Sequence, residues 1–288
     1  WHNSPAGRAY CGMNCPYCGS YDTFRLPCDN TNTINRLHMK ITYIFHSGFA
    51  IETDGCIMIF DYWMDPSHVV PRLLESDKPL YVFSSHFHED HFNREILSWK
   101  DRNADTFFIL SKDILRHRRA AKPEADAWLA KGASWSDGML SVTATGSNDS
   151  GVSWIVETAG KRIFHAGDLN NWYARFLSDD SADSGSDSTI KELDVDPVKE
   201  EKMFLGELKD ICKVTDSFDV AMFPVDGRIG NGYTRGARQF IDTFEVGLFV
   251  PMHFVASGFE SAWRMKEFTD ARGIGFWKIG REGETIEV

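Results

Sequence analysis

The amino-acid sequence predicts an α/β fold in which two β-sheets pack against each other and helices cover the outer faces. Short apolar runs typical of strands come in two series along the chain, and segments with helical periodicity lie among and after them. Hydrophobic residues make up 42% and aromatic residues 13% of the 288 residues, a composition typical of a globular protein with a large core. Two packed sheets with helices outside would bury such strands.

The predicted strands are rich in β-branched and aromatic residues and are bounded by turn-forming residues. The earlier series comprises residues 40–46, 49–54, 56–63, 80–85, 106–111, 140–146, 153–160 and 161–167, and the later series comprises residues 219–225, 248–254 and 273–279. Gly160 lies within "ETAGKRIFHAG", a segment typical of a β-hairpin with its turn at the glycine.

Helical periodicity predicts the remaining elements. It appears at residues 92–99, 111–119, 123–131, 169–177, 200–214, 233–244 and 260–271. One further stretch, residues 178–197, is acidic and rich in serine, which predicts a solvated loop rather than a metal or partner site.

Residues 1–38 differ from the rest of the chain, because they are rich in Cys, Asn and Gly and lack periodicity. A boundary is therefore predicted there, with one large domain over residues 39–288. Three interpretations of the first segment stay open. The spacing in "CGMNCPYC" resembles the cluster-binding motif of radical SAM enzymes, which implies an Fe–S cluster; a zinc knot and a leader without function are the alternatives. The cysteines concerned are Cys11, Cys15, Cys18 and Cys28.

The charge balance excludes some classes of partner. The formal net charge is −11, so the chain lacks the basic footprint that nucleic-acid binding usually needs. No apolar stretch is long enough to predict a membrane span, and the first residues lack the apolar core of a secretory signal. Cys56 and Cys212 are isolated in apolar surroundings and are predicted to be buried free thiols. These features favour a reducing, cytoplasmic location.

The segment "SSHFHEDHF", residues 84–92, predicts a metal site. It follows a predicted buried strand, and side chains two residues apart in extended chain point the same way, so His86 and His88 can bind one ion. Asp90 and His91 lie where the chain turns towards a helix and can bind a second ion. Imidazole and carboxylate are the usual ligands of Zn²⁺ and similar cations.

This H-x-H-x-D-H spacing resembles the signature of the metallo-β-lactamase superfamily, and the resemblance extends over residues 39–288. "IMIFDYW" resembles a family motif that ends in Asp61, "RIFHAGDLNNW" one in which Asp168 bridges two metals, and "LFVPMHF" one that supplies His253. The resemblance implies an αββα sandwich of two mixed β-sheets with the metals at one edge, between the sheets. "YIFHSGFAIET" resembles the opening of the branch that contains ascorbate-6-phosphate lactonase.

The third motif departs from the family pattern, because "TGSNDSGVS", residues 145–153, contains no histidine. Asn148 occupies the place of the usual histidine. The neighbouring Asp149 could supply a carboxylate instead. Otherwise His86, His88 and Asp168 would hold the first metal with an open position for water.

The expected roles follow from this ligand set. Asp90, His91 and Asp168 are the predicted catalytic residues, with Asp168 as the bridge and Asp90 beside the attacking water. Asp61 is expected to orient a histidine. The remaining candidates are expected to contact either the metal ligands or the substrate. They are His46, where turn hydrogen bonding is an equal alternative, Asp226, and Arg228, which could bind an anionic group.

The predicted activity is metal-dependent hydrolysis of a small ester, lactone or phosphoester by a metal-activated hydroxide. Two divalent ions are expected, Zn²⁺ first, with Mn²⁺ or iron as alternatives. A phosphodiesterase or nuclease of the same fold and a non-catalytic metal-binding sensor are the rival hypotheses. The expected partner is a small-molecule substrate, without nucleic acid or membrane, and homo-oligomer formation is left open.

Overall fold

The computed structural model describes residues 39–177 and 195–288, and these residues form two seven-stranded sheets with helices on the outer faces. Both sheets are mixed, as the sequence predicts. The first has the strand order β14-β1-β2-β3-β4-β5-β6. Its strands are β1 (Lys40–Phe45), β2 (Gly48–Glu52), β3 (Ile57–Phe60), β4 (Leu80–Ser84), β5 (Thr106–Ser111), β6 (Ala127–Leu129) and β14 (Thr285–Glu287).

The second sheet repeats this plan, with antiparallel hairpins followed by parallel strands. Its order is β13-β12-β11-β10-β9-β8-β7, and the parallel pairs are β10–β11, β11–β12 and β12–β13. Its strands are β7 (Ser134–Ser136), β8 (Leu140–Gly146), β9 (Val152–Thr158), β10 (Lys161–His165), β11 (Ser217–Pro224), β12 (Glu245–Met252) and β13 (Gly275–Phe276). The predicted hairpin turn at Gly160 is present between β9 and β10.

The helices are short except for one. The α-helices are α1 (Val69–Leu74), α2 (Lys112–Arg116), α3 (Pro197–Ile211), α4 (Arg235–Thr243), α5 (Phe259–Ala262) and α6 (Met265–Asp270), and 3₁₀ turns cover Arg94–Asp101, Lys122–Glu124, Ala174–Phe176, Gly227–Ile229 and Val255–Ser257. Within the described ranges, no helix combines the length and the apolar character needed to cross a bilayer.

Alternation along β4 shows how the layers form. Tyr81 and Phe83 point into the core between the sheets, and Phe83 lies 5.9 Å from Trp154 of the opposite sheet, between ring centroids. Leu80 and Val82 point the other way and pack in a second apolar cluster with residues of α1 and the Arg94–Asp101 turn. A strand buried on both faces in this way has a near-continuous apolar sequence, here Leu80 to Phe83.

Several sequence predictions of elements are wrong in detail. The predicted helix at residues 123–131 is a 3₁₀ turn followed by β6, because the Asp126 carboxylate accepts the Phe108 N–H and joins the segment to β5. The predicted helix at 169–177 contains only the turn Ala174–Phe176, and the predicted helix at 260–271 is divided into α5 and α6. Three short elements, α1, β7 and β14, were not predicted.

The cysteine prediction is also wrong in part. Cys56 is a buried free thiol as expected, whereas Cys212 is free but exposed, since it caps the end of α3 one residue beyond the buried Ile211. Most of the predicted loop at 178–197 and the candidate ligands Cys11, Cys15, Cys18 and Cys28 lie outside the described residues.

Candidate metal centre

The predicted site residues lie at one edge of the two sheets, and five of them follow the carboxyl ends of parallel strands within three residues. Two parallel strands of the first sheet and three of the second end at this edge with such residues, and ligands commonly bind at this edge in α/β folds. The residues and the strands that they follow are Asp61 (β3), His86 (β4), Asp168 (β10), Asp226 (β11) and His253 (β12).

Eight side chains at this edge form two groups, and within each group the ligand atoms lie within 4.8 Å of one another. Such distances suit the coordination of one cation by each group. The first group consists of His86, His88, Asp149 and Asp168, and the second group consists of His46, Asp90, His91 and His253.

The Asp168 carboxylate lies between the two groups. Its Oδ2 is 3.5 Å from Nε2 of His86 in the first group. Its Oδ1 is 3.1 Å from Nε2 of His91 and 3.4 Å from Nε2 of His253, both in the second group. One carboxylate that presents a separate oxygen to each group can bridge two cations.

The unpaired atoms of the site test whether metal ions fit. Both ring nitrogens of His46, Nε2 of His86, Nε2 of His91 and Oδ1 of Asp168 are buried and have no hydrogen-bond partner. Buried polar atoms without a partner are rare and cost free energy, so their concentration at one place requires a ligand. Imidazole nitrogens and carboxylate oxygens are donors for divalent cations, and the residues present therefore fit two such ions.

Asp61 fixes two of the histidine rings. Its fully buried carboxylate accepts hydrogen bonds from the Ser85 N–H at 2.7 Å, the Ser85 hydroxyl at 2.6 Å and Nδ1 of His91 at 2.7 Å. The Ser85 Oγ lies 3.0 Å from Nδ1 of His86 and can accept from it. With Nδ1 of both rings held in this way, Nε2 of both rings faces the ligand positions.

Asp226 has the same relation to His253. The carboxylate is buried and lies 3.0 Å from Nδ1 of His253, while the Arg228 Nε donates to it at 2.8 Å. Burial alone would raise the pKa of Asp226, but these two partners lower it to about 2. Asp226 and Arg228 thus support His253, a candidate ligand, which is one of the two roles expected of them, and Arg228 remains half exposed.

Electrostatics in the centre are dominated by the carboxylates between the histidines. Burial would lower the pKa of His91, yet the charges of Asp168 and Asp61 raise it well above its ordinary value. Burial would raise the pKa of Asp168, and the His91 and His253 rings hold it well below the usual range. Burial and the neighbouring His91 lower the pKa of His86 to about 3. These charges favour a proton on His91 in the metal-free site.

Metal binding to the second group is expected to release a proton and to strengthen as the pH rises. Below its raised pKa His91 carries a proton that a cation must displace, because only neutral imidazole is a ligand. We expect on the order of one proton per chain at pH 7. Titration calorimetry in two buffers of different ionisation enthalpy measures this number, and equal heats in both buffers would contradict the assignment.

His46 joins the second group from the turn between β1 and β2. The residue has a positive φ of 55°, is 4% exposed, and places Nε2 at 3.3 Å from Oδ2 of Asp90. The turn is held by His165, whose Nε2 lies 2.9 Å from the Ser47 carbonyl oxygen, consistent with donation to it. Turn hydrogen bonding by the His46 ring, one of the two expectations, is wrong because neither nitrogen has a hydrogen-bond partner.

The third motif places Asp149, rather than Asn148, in the first group of candidate ligands. The Asn148 side chain donates to the Asn170 carbonyl at 2.9 Å and accepts from the Asn170 N–H at 3.2 Å. Asp149 reaches the first group, where partial burial of its carboxyl and the charge of Asp168 raise its pKa. Gly151 permits this approach, since a Cβ there would lie 2.0 Å from the carbonyl oxygen of Ser85.

Replacement of Asp149 by asparagine is expected to weaken metal binding at the first group by at least about tenfold, because a ligand should matter no less than its supporting partners. The matched variant Asn148→Ala should leave metal affinity within a few-fold and lower the free energy of unfolding by about 1 kcal/mol. Competition with a chromophoric chelator measures both affinities. Unchanged affinity in the Asp149 variant would exclude it as a ligand.

Comparison with known proteins found one similar sequence and several similar structures. No protein-family model matches the chain. A UPF0173 metal-dependent hydrolase of Symbiobacterium thermophilum is 24% identical over 265 residues, which cover 86% of this chain and 99% of the relative. Igni18, a metallo hydrolase of Ignicoccus hospitalis, has a TM-score of 0.59 at 19% identity and covers 87% of this chain and 98% of its own.

A second similar structure identifies the fold. The metallo-β-lactamase fold protein YhfI of Bacillus subtilis has a TM-score of 0.56 at 14% identity and covers 88% of this chain and 100% of its own. The described part of the chain therefore has the metallo-β-lactamase fold, and its edge carries residues arranged to hold two metal ions.

Proposed function

We propose that this chain is a metal-dependent hydrolase that cleaves a small ester, lactone or phosphoester with the help of two divalent cations, Zn²⁺ being the metal that we expect. The observation that carries the proposal is the position of Asp168, whose two oxygens face two separate groups of ligands. The names of the similar proteins from Symbiobacterium and Ignicoccus, a metal-dependent hydrolase and a metallo hydrolase, support the same class.

Divalent cations at these positions would lower the pKa of a water molecule and polarise the scissile carbonyl or phosphoryl group. The Asp168 carboxylate, with one oxygen facing each group, would keep the two groups of ligands at a fixed distance from each other. Asp61 and Asp226 would keep Nε2 of their histidines directed at the centre, so that no reorganisation is needed during the reaction.

Asp90 is the member of the second group best placed to meet water. Its side chain is 34% exposed, compared with 5% for His46. Burial would raise the pKa of Asp90, but the His46 and His91 rings lower it, so the carboxylate is ionised at neutral pH. It can therefore accept a hydrogen bond from the attacking water, orient it and take its proton, which can then pass to the leaving oxygen.

Two finer proposals rest on the sequence. The "HSGF" turn resembles the opening of the ascorbate-6-phosphate lactonase branch, which favours a lactone or phosphoester among the possible substrates. The free thiol of Cys56 and that of Cys212 agree with a reducing, cytoplasmic location.

Metal removal and restoration test the proposal. The purified chain would be assayed against a set of aryl esters, lactones and phosphodiesters before chelation, after chelation and after addition of Zn²⁺, Mn²⁺ or Fe²⁺. We expect hydrolysis of at least one class to disappear on chelation and to return with a cation. Metal binding without hydrolysis of any class would favour a sensor instead.

A further inference from the structure

A cleft beside the second group has the composition of a binding site for an anionic, partly apolar molecule. It has a volume of about 300 Å³, and Trp172, Tyr173 and Phe176 form apolar walls. Arg175 and Arg228 supply the cationic groups. We call this the aromatic cleft; clefts of this size and lining commonly bind small molecules.

The aromatic cleft adjoins the ligands of the metal centre. The Trp172 ring lies 5.3 Å from the His253 ring, between centroids, and its Nε1 donates to the Asp168 carbonyl at 2.8 Å. Asp226, which orients His253, also lines the cleft. A molecule in the cleft would therefore lie next to the position where we propose that hydrolysis occurs.

The two arginines differ in how far they are already neutralised. The Arg228 guanidinium is paired with Asp226 through Nε and Nη2. Arg175 is exposed, its guanidinium carbon lies 4.4 Å from the Phe176 ring centroid, and it forms no ion pair with any residue in the described ranges. The lining thus has one positive charge in excess, although the whole chain has a net charge of −11.

The stem of Arg175 reaches across to the loop that carries Arg228. Gly230 lies beneath it, and a Cβ at that position would be 3.4 Å from Cδ of Arg175. This contact brings the Arg175 side chain to the same side of the cleft as the Arg228 loop. A guanidinium offers several N–H donors in one plane and suits a carboxylate or phosphate group.

We propose that the aromatic cleft binds the anionic group of the substrate at Arg175, with the apolar part of the substrate against the three aromatic side chains. This inference rests on the proposed hydrolase function and narrows its substrates to esters, lactones or phosphoesters that carry a carboxylate or phosphate group. The Arg228 guanidinium would contribute to the positive electrostatic potential of the aromatic cleft while it remains paired with Asp226.

Binding of small probes to the full chain tests the cleft without reference to catalysis. The probes are benzoate, phenylphosphonate and neutral benzyl alcohol, titrated by calorimetry into the wild type, Arg175→Gln and Arg175→Lys. We expect Arg175→Gln to weaken at least one anionic probe by about tenfold and to leave benzyl alcohol unchanged, with partial recovery in Arg175→Lys. The stronger of the two anions distinguishes carboxylate from phosphate.

A matched control is Arg238→Gln, since Arg238 also lies over an aromatic ring, that of Phe268, but lines a different cavity. It should bind the probes as the wild type does. Anion binding that is absent from the wild type, or equal in the wild type and Arg175→Gln, would overturn the proposal.

Kinetics with two acetate esters separates this inference from the hydrolase proposal. We expect Arg175→Gln to lower kcat/KM for 4-acetoxybenzoate about tenfold and to leave phenyl acetate nearly unchanged. If both esters are hydrolysed and neither rate depends on Arg175, the cleft proposal is refuted and the hydrolase proposal stands. Probe binding that depends on Arg175, without hydrolysis of any ester, lactone or phosphodiester, would support the cleft and refute the hydrolase.

Discussion

Replacement of Asp168 by asparagine is expected to abolish hydrolysis and to remove both metal ions together. Asparagine keeps the size of the side chain but loses the charge that lies between Nε2 of His86, His91 and His253. Since residues that only support ligands typically contribute 10–100-fold, we expect kcat/KM to fall by more than about 100-fold. Rate measurements with metal analysis of the same samples test both parts.

The control for this variant is Asp101→Asn, an exposed aspartate at the end of the Arg94–Asp101 turn. It should keep the activity and metal content of the wild type. An Asp168→Asn protein that folds, as judged by its circular dichroism, and still binds two metals with full activity would refute the bridging role.

Replacement of Asp61 by asparagine is expected to have the second largest effect, although Asp61 does not itself belong to either ligand group. The buried carboxylate accepts from the Ser85 N–H, the Ser85 hydroxyl and His91, and an amide would turn a donor towards one of them. We expect metal affinity to fall 10–100-fold. The free energy of unfolding should fall by about 1–3 kcal/mol.

Replacement of Asp219, which lies in the second sheet, separates the loss of metal from a general loss of stability. Asp219 lies near the start of β11, and its carboxylate bonds Lys161 and the Arg162 N–H, away from the metal edge. Asp219→Asn should lower stability without changing metal affinity. Chemical denaturation and metal titration of both variants give the comparison, and metal affinity unaffected by Asp61→Asn would contradict the role given to Asp61.

The sequence predicts the sheets better than the short elements. Runs such as Leu80 to Phe83 of β4 are continuously apolar because both faces are buried, and they are recognisable from composition alone. The strand β6 is three residues long and depends on pairing with β5, so its local pattern carries little information. Tertiary pairing decided between helix and strand at residues 123–131.

Some residues of the candidate site could be predicted from the sequence, whereas others depend on the fold. His86, His88, Asp90 and His91 are close in sequence, and their spacing alone indicates metal binding. The placement of His46 in the second group depends on the turn between β1 and β2, which the His165 side chain holds from the other sheet. Sequence spacing does not indicate such a contact. The position of His46 directly after a strand was the feature of the sequence that could have indicated a site residue.

The choice between Asn148 and Asp149 also required three-dimensional information. Both can be ligands or hydrogen-bonding residues by their chemistry. Only the contact of Asn148 with the Asn170 backbone and the approach of Gly151 to Ser85 place Asp149 towards the first group. Asn148 and Asp149 are adjacent in sequence but therefore have different roles.

Elemental analysis of the full chain and of the double variant His86→Ala/His91→Ala tests the two-metal site most directly. The double variant removes one ligand from each group, and any metal held by the cysteines of residues 1–38 is common to both proteins and cancels in the difference. The structure predicts that the wild type holds two more divalent ions per chain than the variant. An equal metal content in the two proteins would contradict the metal centre described above.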